Sequence, residues 1–405
     1  MGFAPGGQNR RLEAGLSGSD NALSQLRREM PVASFQEDAD FISRHTELVV
    51  LDGRRPAVVA VAPLWQGRVM TSSPTGPAGG SLGWVNRPFI ESGRRNTAFD
   101  NYGGEDRLWL GPEAGQFALF FKPGDGFDQS LWQTPPALHV GPFDVTGRGK
   151  TSLALAARLA VTNYSGATFE CALQRIIDVL TRDRMAAALG VTIPADLSAV
   201  AFSSVNTLAN IGPDPWKRQT GLPSLWLLGQ FNPLPEGFVI APHLGGPPSK
   251  RAPMPFGEYF GAVPPERFAL KRGYSLFKVD GCFRSKIGIA PGRACNLIAS
   301  FDPRAPMLTI VQFNLPSAAA MLPYVNSRWE EQQDPFAGDA VNSYNDGAGA
   351  EKGFYELETS SPAAQLGVNE SIIHVHTTFH FTGPAKPLFR LAGDVLGVDL
   401  RKVRF

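Results

Sequence analysis

Residues 371–383 read SIIHVHTTFHFTG, and the alternation within them decides the fold. On a strand, successive side chains point to opposite faces. Ile373, Val375, Phe379 and Phe381 then share one face, while His374, His376, Thr378 and His380 share the other. Such a segment is a strand with an apolar side and a polar side.

The same pattern recurs upstream. YSLFKVDGCFRSKIGIA, residues 274–290, reads as one alternating strand. Val279, Phe283, Ile287 and Ile289 face one way, and Lys278, Asp280, Arg284 and Lys286 the other. LALAARLAVTNYSGATFECALQRIIDVL, residues 153–180, predicts a long hairpin turning at NYSG. Phe169, Cys171 and Leu173 alternate with polar neighbours there, and a helix over 170–180 is the competing reading. Residues 47–73 alternate apolar runs with turn signals and predict further strands. TRDRMAAALG predicts a short helix ending at Gly190, and residues 20–30 predict another. TGPAGGSLGW, residues 75–84, is a glycine-rich loop without the strand–GxxxxGK[ST]–helix pattern of phosphate loops.

Composition agrees with this reading. The chain holds 43 glycines and 34 prolines spread along its 405 residues, as many turns require. No fixed repeat and no linker stands out. The expectation is all-β: a large antiparallel β-sandwich forming one domain over 35–405, behind a short, partly helical N-terminal extension over 1–34.

Charge and patterning bound the function. A net charge of +1 without a basic block argues against nucleic acid as a partner. No run of 18 apolar residues offers a transmembrane helix, so no membrane partner is expected. The first thirty residues lack a signal-type apolar core. That predicts a cytoplasmic protein, or a periplasmic or secreted one whose export signal has been removed. Cys171, Cys282 and Cys295 have neither metal nor redox spacing and read as structural thiols. No cofactor is expected.

Four constellations carry candidate chemistry. In NYGGEDRLWLGPEAGQFALFF, residues 101–121, Glu105, Arg107 and Trp109 fall on one strand face, with Leu108 and Leu110 opposite and Glu113 just beyond. A carboxylate, a guanidinium and a ring on one face suit a sugar platform. The segment 324–347 is dense in Asn, Asp, Gln and aromatics, and Asn345 and Asp346 are its candidate site members. In GFYELETSSPAAQL, residues 353–366, Glu356 and Glu358 lie one residue apart, about 7 Å on one face of a strand. In a cleft, repulsion and burial would raise a carboxyl pKa and equip it for acid–base work, whereas Arg284 and Lys286 would pair with both in a structural reading. Finally, His374 and His376 form an H-x-H pair that could ligate zinc, although histidines on the polar face of a strand are by default solvent-facing or hydrogen-bonded, and no metal is expected. His139 and His243 sit in turn-rich sequence, and either could serve as a general acid.

ELETSSPAAQL followed by GVNESIIHVHTTFHF resembles the galactose mutarotase (aldose 1-epimerase) superfamily. There the catalytic base is a glutamate in an LE[TA]Q…PDA segment, followed by an alternating strand. The resemblance implies that Glu358 is the base and Glu356 its neighbour on the same face. GGEDRLWLGPEAGQFALFF, DGCFRSKIGIAPGRA, VNSRWEEQ and VNSYNDG extend it to a family of uncharacterised bacterial proteins in that superfamily, over about residues 35–400. The superfamily's histidine-bearing N-H-x-Y-F-N-L segment has no counterpart here. The resemblance implies a carbohydrate ligand, a proton-transferring enzyme with Glu358, Glu356 and His243 as catalytic candidates, and a substrate held by Glu105, Arg107, Trp109, Glu113, Arg284, Asn345 and Asp346. The alternatives are a non-catalytic carbohydrate-binding protein and a metal-assisted lyase or hydrolase. Oligomeric state is not legible.

Overall fold

The computed structural model describes residues 33–405 apart from 97, 140 and 350–352. The helix expected over 20–30 lies outside the described residues.

Strands follow one another for most of the chain. They are β1 (Val49–Arg54), β2 (Ala57–Ala62), β3 (Arg68–Ser73), β4 (Arg107–Gly111), β5 (Asp144–Arg148), β6 (Ser152–Thr162), β7 (Thr168–Val179), β8 (Ser198–Asn210) and β9 (Ser224–Phe231). After them come β10 (Phe238–Pro242), β11 (Phe268–Lys271), β12 (Tyr274–Lys278), β13 (Ser285–Ile289), β14 (Leu297–Asp302), β15 (Met307–Phe313), β16 (Val341–Asn345), β17 (Tyr355–Ser360) and β18 (Ser371–Thr382). The helices are short: α1 (Phe35–Ser43), α2 (Arg87–Ser92), α3 (Pro136–His139), α4 (Arg182–Leu189) and α5 (Ala385–Leu396).

The strands pair antiparallel in three sheets. Ten join in the order β11-β12-β10-β14-β15-β18-β8-β7-β6-β5, five as β13-β16-β17-β9-β4, and three as β1-β2-β3. The chain is the antiparallel β-sandwich that the alternation predicts. Leu108, Leu227, Leu357 and Ile287 of the five-stranded sheet are buried with Leu155, Phe169, Val239 and Ile298 of the ten-stranded one. Tyr355 and Ser300 add a hydroxyl–hydroxyl hydrogen bond of 2.7 Å between the two sheets. The other side of the large sheet carries an apolar row in register, Ala201, Phe379, Ile310, Ala299 and Ile240. Leu388, Leu391 and Leu396 of α5, which the sequence reading did not anticipate, bury that row. Truncating Leu357, fully buried, to alanine would cost about 2–5 kcal/mol.

Local signals hold where they are strongest. The hairpin β6–β7 turns at Asn163–Gly166 and buries Phe169, Cys171 and Leu173. Thr181 caps α4 by accepting from Arg184 N, and Gly190 ends the helix at φ 69°.

Two expectations are corrected. Residues 274–290 are not one strand, because a turn at Gly281 (φ 72°) sends β12 to the ten-stranded sheet and β13 to the five-stranded one. Phe283, on that turn, is exposed instead of core-facing. In β18 the alternation is right, but the polar side is not solvated, and the apolar side is covered only toward Phe379 and Phe381. The face with His374, His376, Thr378 and His380 is buried, whereas Ile373 is 51% exposed.

Candidate functional site

The outer side of the five-stranded sheet gathers the charged residues. On β17, Tyr355, Leu357 and Thr359 turn inward, so Glu356 and Glu358 turn outward together. Register sets Glu358 between Asn342 and Leu228, with Arg107 one strand further on. Glu356 lies between Tyr344 and Gln230, and Tyr344 pairs with Lys286.

Each glutamate has its own cation. Arg107 Nη2 donates to Glu356 Oε1 at 2.9 Å. The guanidinium lies 3.9 Å from the Trp109 ring centroid and 4.9 Å from that of Phe99, so two rings hold it in place. Lys286 Nζ and Trp226 Nε1 both donate to Glu358 Oε2, each at 2.8 Å. Burial alone would lower the Lys286 pKa, but Glu358 and then Glu113 outweigh it and raise it. Burial pushes the Glu356 carboxyl up to about 8, opposed by Arg107 and assisted by Glu358. Burial also raises Glu113, with Lys286 opposing.

These groups wall a recess of about 260 Å³, closed from the loops by Phe99, Trp132, Phe260 and Trp329. Grooves of about 1070 and 1110 Å³ elsewhere gather no buried carboxylate. Of the sequence candidates, Arg107, Trp109, Glu113, Arg284, Asp346 and Glu356 meet at the recess, and Tyr344 joins them.

The other candidates lie elsewhere. Glu358 is fully buried behind Lys286 and Trp226 and does not reach the wall. Glu105 does not share a face with Arg107, because the chain bends before β4 begins and turns its carboxylate into the sandwich. There Glu105 Oε2 accepts from Ser72 Oγ and meets His380 Nε2, both at 2.9 Å. Asn345 braces the 281–283 turn, accepting from Gly281 N and donating to Phe283 O, both at 2.9 Å. His243 lies just past β10 in the ten-stranded sheet, its Nδ1 3.3 Å from Leu244 O. His139 pairs with Asp100 at 2.9 Å. Trp109 lies under Arg107 with its ring covered, so it supports the guanidinium instead of offering a platform.

The H-x-H pair faces the interior. His374 Nε2 and His376 Nδ1 both meet Thr359 Oγ1, at 2.8 and 2.9 Å. Burial lowers His374 to about 3 and His376 to about 4. Among the described residues no group of three or more His, Cys, Asp or Glu is placed to hold a metal ion. Nor is any described helix long and apolar enough to cross a membrane.

Sequence reasoning saw Lys286 only as an ion-pair partner and did not single out Trp226, Phe260 or Phe99. The usable signal was a lysine opening the apolar run KIGIA, where a solvated charge has little place.

A family model described as "Family of unknown function (DUF6786)" matches residues 33–405. No curated protein matches the chain. In structure it is similar to the Slr1438 protein from Synechocystis sp. PCC 6803, at TM-score 0.48 and 13% identity over 84% of this chain and 96% of that one. It is also similar to a galactose mutarotase-like protein from Lactobacillus casei, at TM-score 0.46 and 9% identity over 83% and 100%. A galactose mutarotase related enzyme from Lactobacillus acidophilus gives TM-score 0.45 and 8% identity over 84% and 97%.

Proposed function

The chain belongs to DUF6786, a family of unknown function, and from its recess we propose a carbohydrate-active enzyme that moves a proton on a sugar ring, with Glu356 as the transferring carboxyl. One observation carries this reading. Glu356 sits at the floor of a ring-lined recess, paired with Arg107, with its carboxyl raised to about 8. Such a group holds a proton near neutral pH and can both give and take one.

The surroundings fit one sugar ring. At about 260 Å³ the recess is smaller than the roughly 300–1,000 Å³ of drug-sized pockets. Phe260, Trp329 and Tyr344 keep partly open faces for C–H contact. Glu113, raised by burial and lining the same recess, is placed to handle the second proton. The base role that the resemblance gives Glu358 passes to Glu356, since Oε2 of Glu358 already holds Lys286 and Trp226. Glu358 then acts through its charge, raising its neighbour.

Proton NMR of anomer exchange across a panel of aldoses, with wild-type protein and Glu356→Gln, tests the reading. The variant should lose about 10²–10⁴-fold of the exchange rate while sugar signals still broaden. Near wild-type exchange in the variant would remove Glu356 from the chemistry. Broadening without exchange in both proteins would make the recess a binding site alone.

A further inference from the structure

Resting on the carbohydrate reading above, we infer that the sugar carries an acidic group, a carboxylate or a phosphate, and that Arg284 receives it. The charges at the recess pair off unevenly. Glu356 has Arg107 and Glu358 has Lys286. Arg284 lines the same recess, yet among the described residues no carboxylate oxygen lies within 4.0 Å of it. Rings hold it there instead, with its guanidinium 3.7 Å from the Phe260 centroid and 5.4 Å from that of Trp329. Apart from its contact with the Tyr344 hydroxyl, an arginine placed by aromatic stacking keeps most of its hydrogen-bonding edge for an incoming partner.

The uncharged donors repeat the imbalance. Arg107 Nε and Nη1 and the indole nitrogens of Trp109 and Trp132 are buried without a hydrogen-bond partner. All three residues line the recess. Against these donors, Asn101 Oδ1 is the one unpartnered buried acceptor among the described lining residues. A buried donor with no partner is costly, so the missing partner should bring acceptors. Sugar hydroxyls each bring a donor along with their acceptors, whereas carboxylate and phosphate oxygens chiefly accept. Burial favours the protonated forms of Glu113 and Glu356, which weakens the repulsion they would exert on an anion. Asp346, also on the wall, accepts from Tyr344 at 3.4 Å.

The test is calorimetric titration of the full chain with D-galactose, D-galacturonate and D-galactose 6-phosphate, then with the corresponding glucose series. Acetate and inorganic phosphate serve as sugar-free anions. The acidic sugars should bind about tenfold more tightly than their neutral parents, and the better of the two names the acid. In Arg284→Gln that ratio should fall toward one, and Arg284→Lys should restore part of it. Equal binding of neutral and acidic sugars would overturn this inference and leave the carbohydrate reading standing. Acetate or phosphate binding as tightly as the acidic sugars would overturn both, as would a panel in which nothing binds.

Discussion

Two polar clusters lie on opposite sides of one sheet, and they are built from the same residue types. Inside the sandwich, Asp106 pairs with Arg175 and accepts from Ser204 Oγ at 2.6 Å, while Glu105, His380 and Thr309 form a chain of 2.9 Å contacts. Outside, Arg107, Lys286, Glu356 and Glu358 pair beneath a recess. Both clusters are closed to solvent, so burial does not distinguish structure from function. What differs is how the charges are matched. Each inner carboxylate has two or more partners, and Thr359 serves both His374 and His376. The outer cluster keeps a raised carboxyl and a stacked arginine without an acidic partner. Both clusters keep single atoms without partners, Arg175 Nε and Glu105 Oε1 inside and Arg107 Nε outside, so it is the cation without a carboxylate on the wall of a recess that marks a binding place.

The largest expected effect breaks the inner cluster. Asp106→Ala would leave Arg175, fully buried, without its carboxylate and should lower unfolding free energy by about 3–5 kcal/mol. Urea denaturation measures it, and a loss below about 1 kcal/mol would mean that the inner pair is not a structural tie.

Next, the two clusters should answer pH in opposite senses. His374 and His376 are lowered from 6.5, chiefly by burial, so the folded chain keeps them neutral while the unfolded chain takes up protons. Their stability is complete above about pH 6.5 and is lost as pH falls toward 4. Glu356 is raised from 4.5 to about 8, so the fold holds a proton that the unfolded chain releases. Its stability is complete below about pH 4.5 and is lost as pH rises toward 8. Each limb is worth on the order of a few kcal/mol. Urea midpoints across pH should show Glu356→Gln flattening the alkaline limb alone and His374→Gln with His376→Gln flattening the acidic one. If Glu356→Gln left the alkaline limb unchanged, the raised carboxyl would belong to another residue.

The comparison also explains what the sequence made legible. Alternation with period two is local, so β6, β7, β17 and β18 could be read directly, and Glu356 and Glu358 could be placed on one face. Which side of a sheet meets solvent is not local. The histidine face of β18 is buried because the inner cluster receives it, and Phe379 and Phe381 are covered by α5 from the other side. Nor could alternation show that residues 274–290 cross between sheets, since the count of residues continues through a glycine turn. The exchange between Glu356 and Glu358 depends on Lys286 and Trp226, which lie 72 and 132 residues away from Glu358. Lys286 was among the cations that the sequence offered as partners, but nothing in it pointed to Trp226.

The smallest effect sharpens the boundary between holding a residue and using it. Phe260 touches the recess only as a ring, edge-on to Trp329 at 5.7 Å and to Tyr344 at 6.0 Å, with Arg284 over its face. Phe260→Ala removes a cation–π contact worth about 0.5–1 kcal/mol and two edge-on ring contacts of a partly exposed side chain, so the unfolding midpoint should fall by less than in Asp106→Ala. Arg284 would then sample rotamers that the ring now excludes, at a cost in binding set by the entropy of fixing it again. The preference for an acidic sugar should fall a few-fold, by about the same 0.5–1 kcal/mol, while the neutral sugar's affinity changes less. An equal loss for both sugars would instead make Phe260 a wall of the recess that packs against the sugar ring, with Arg284 held in place by Trp329 alone.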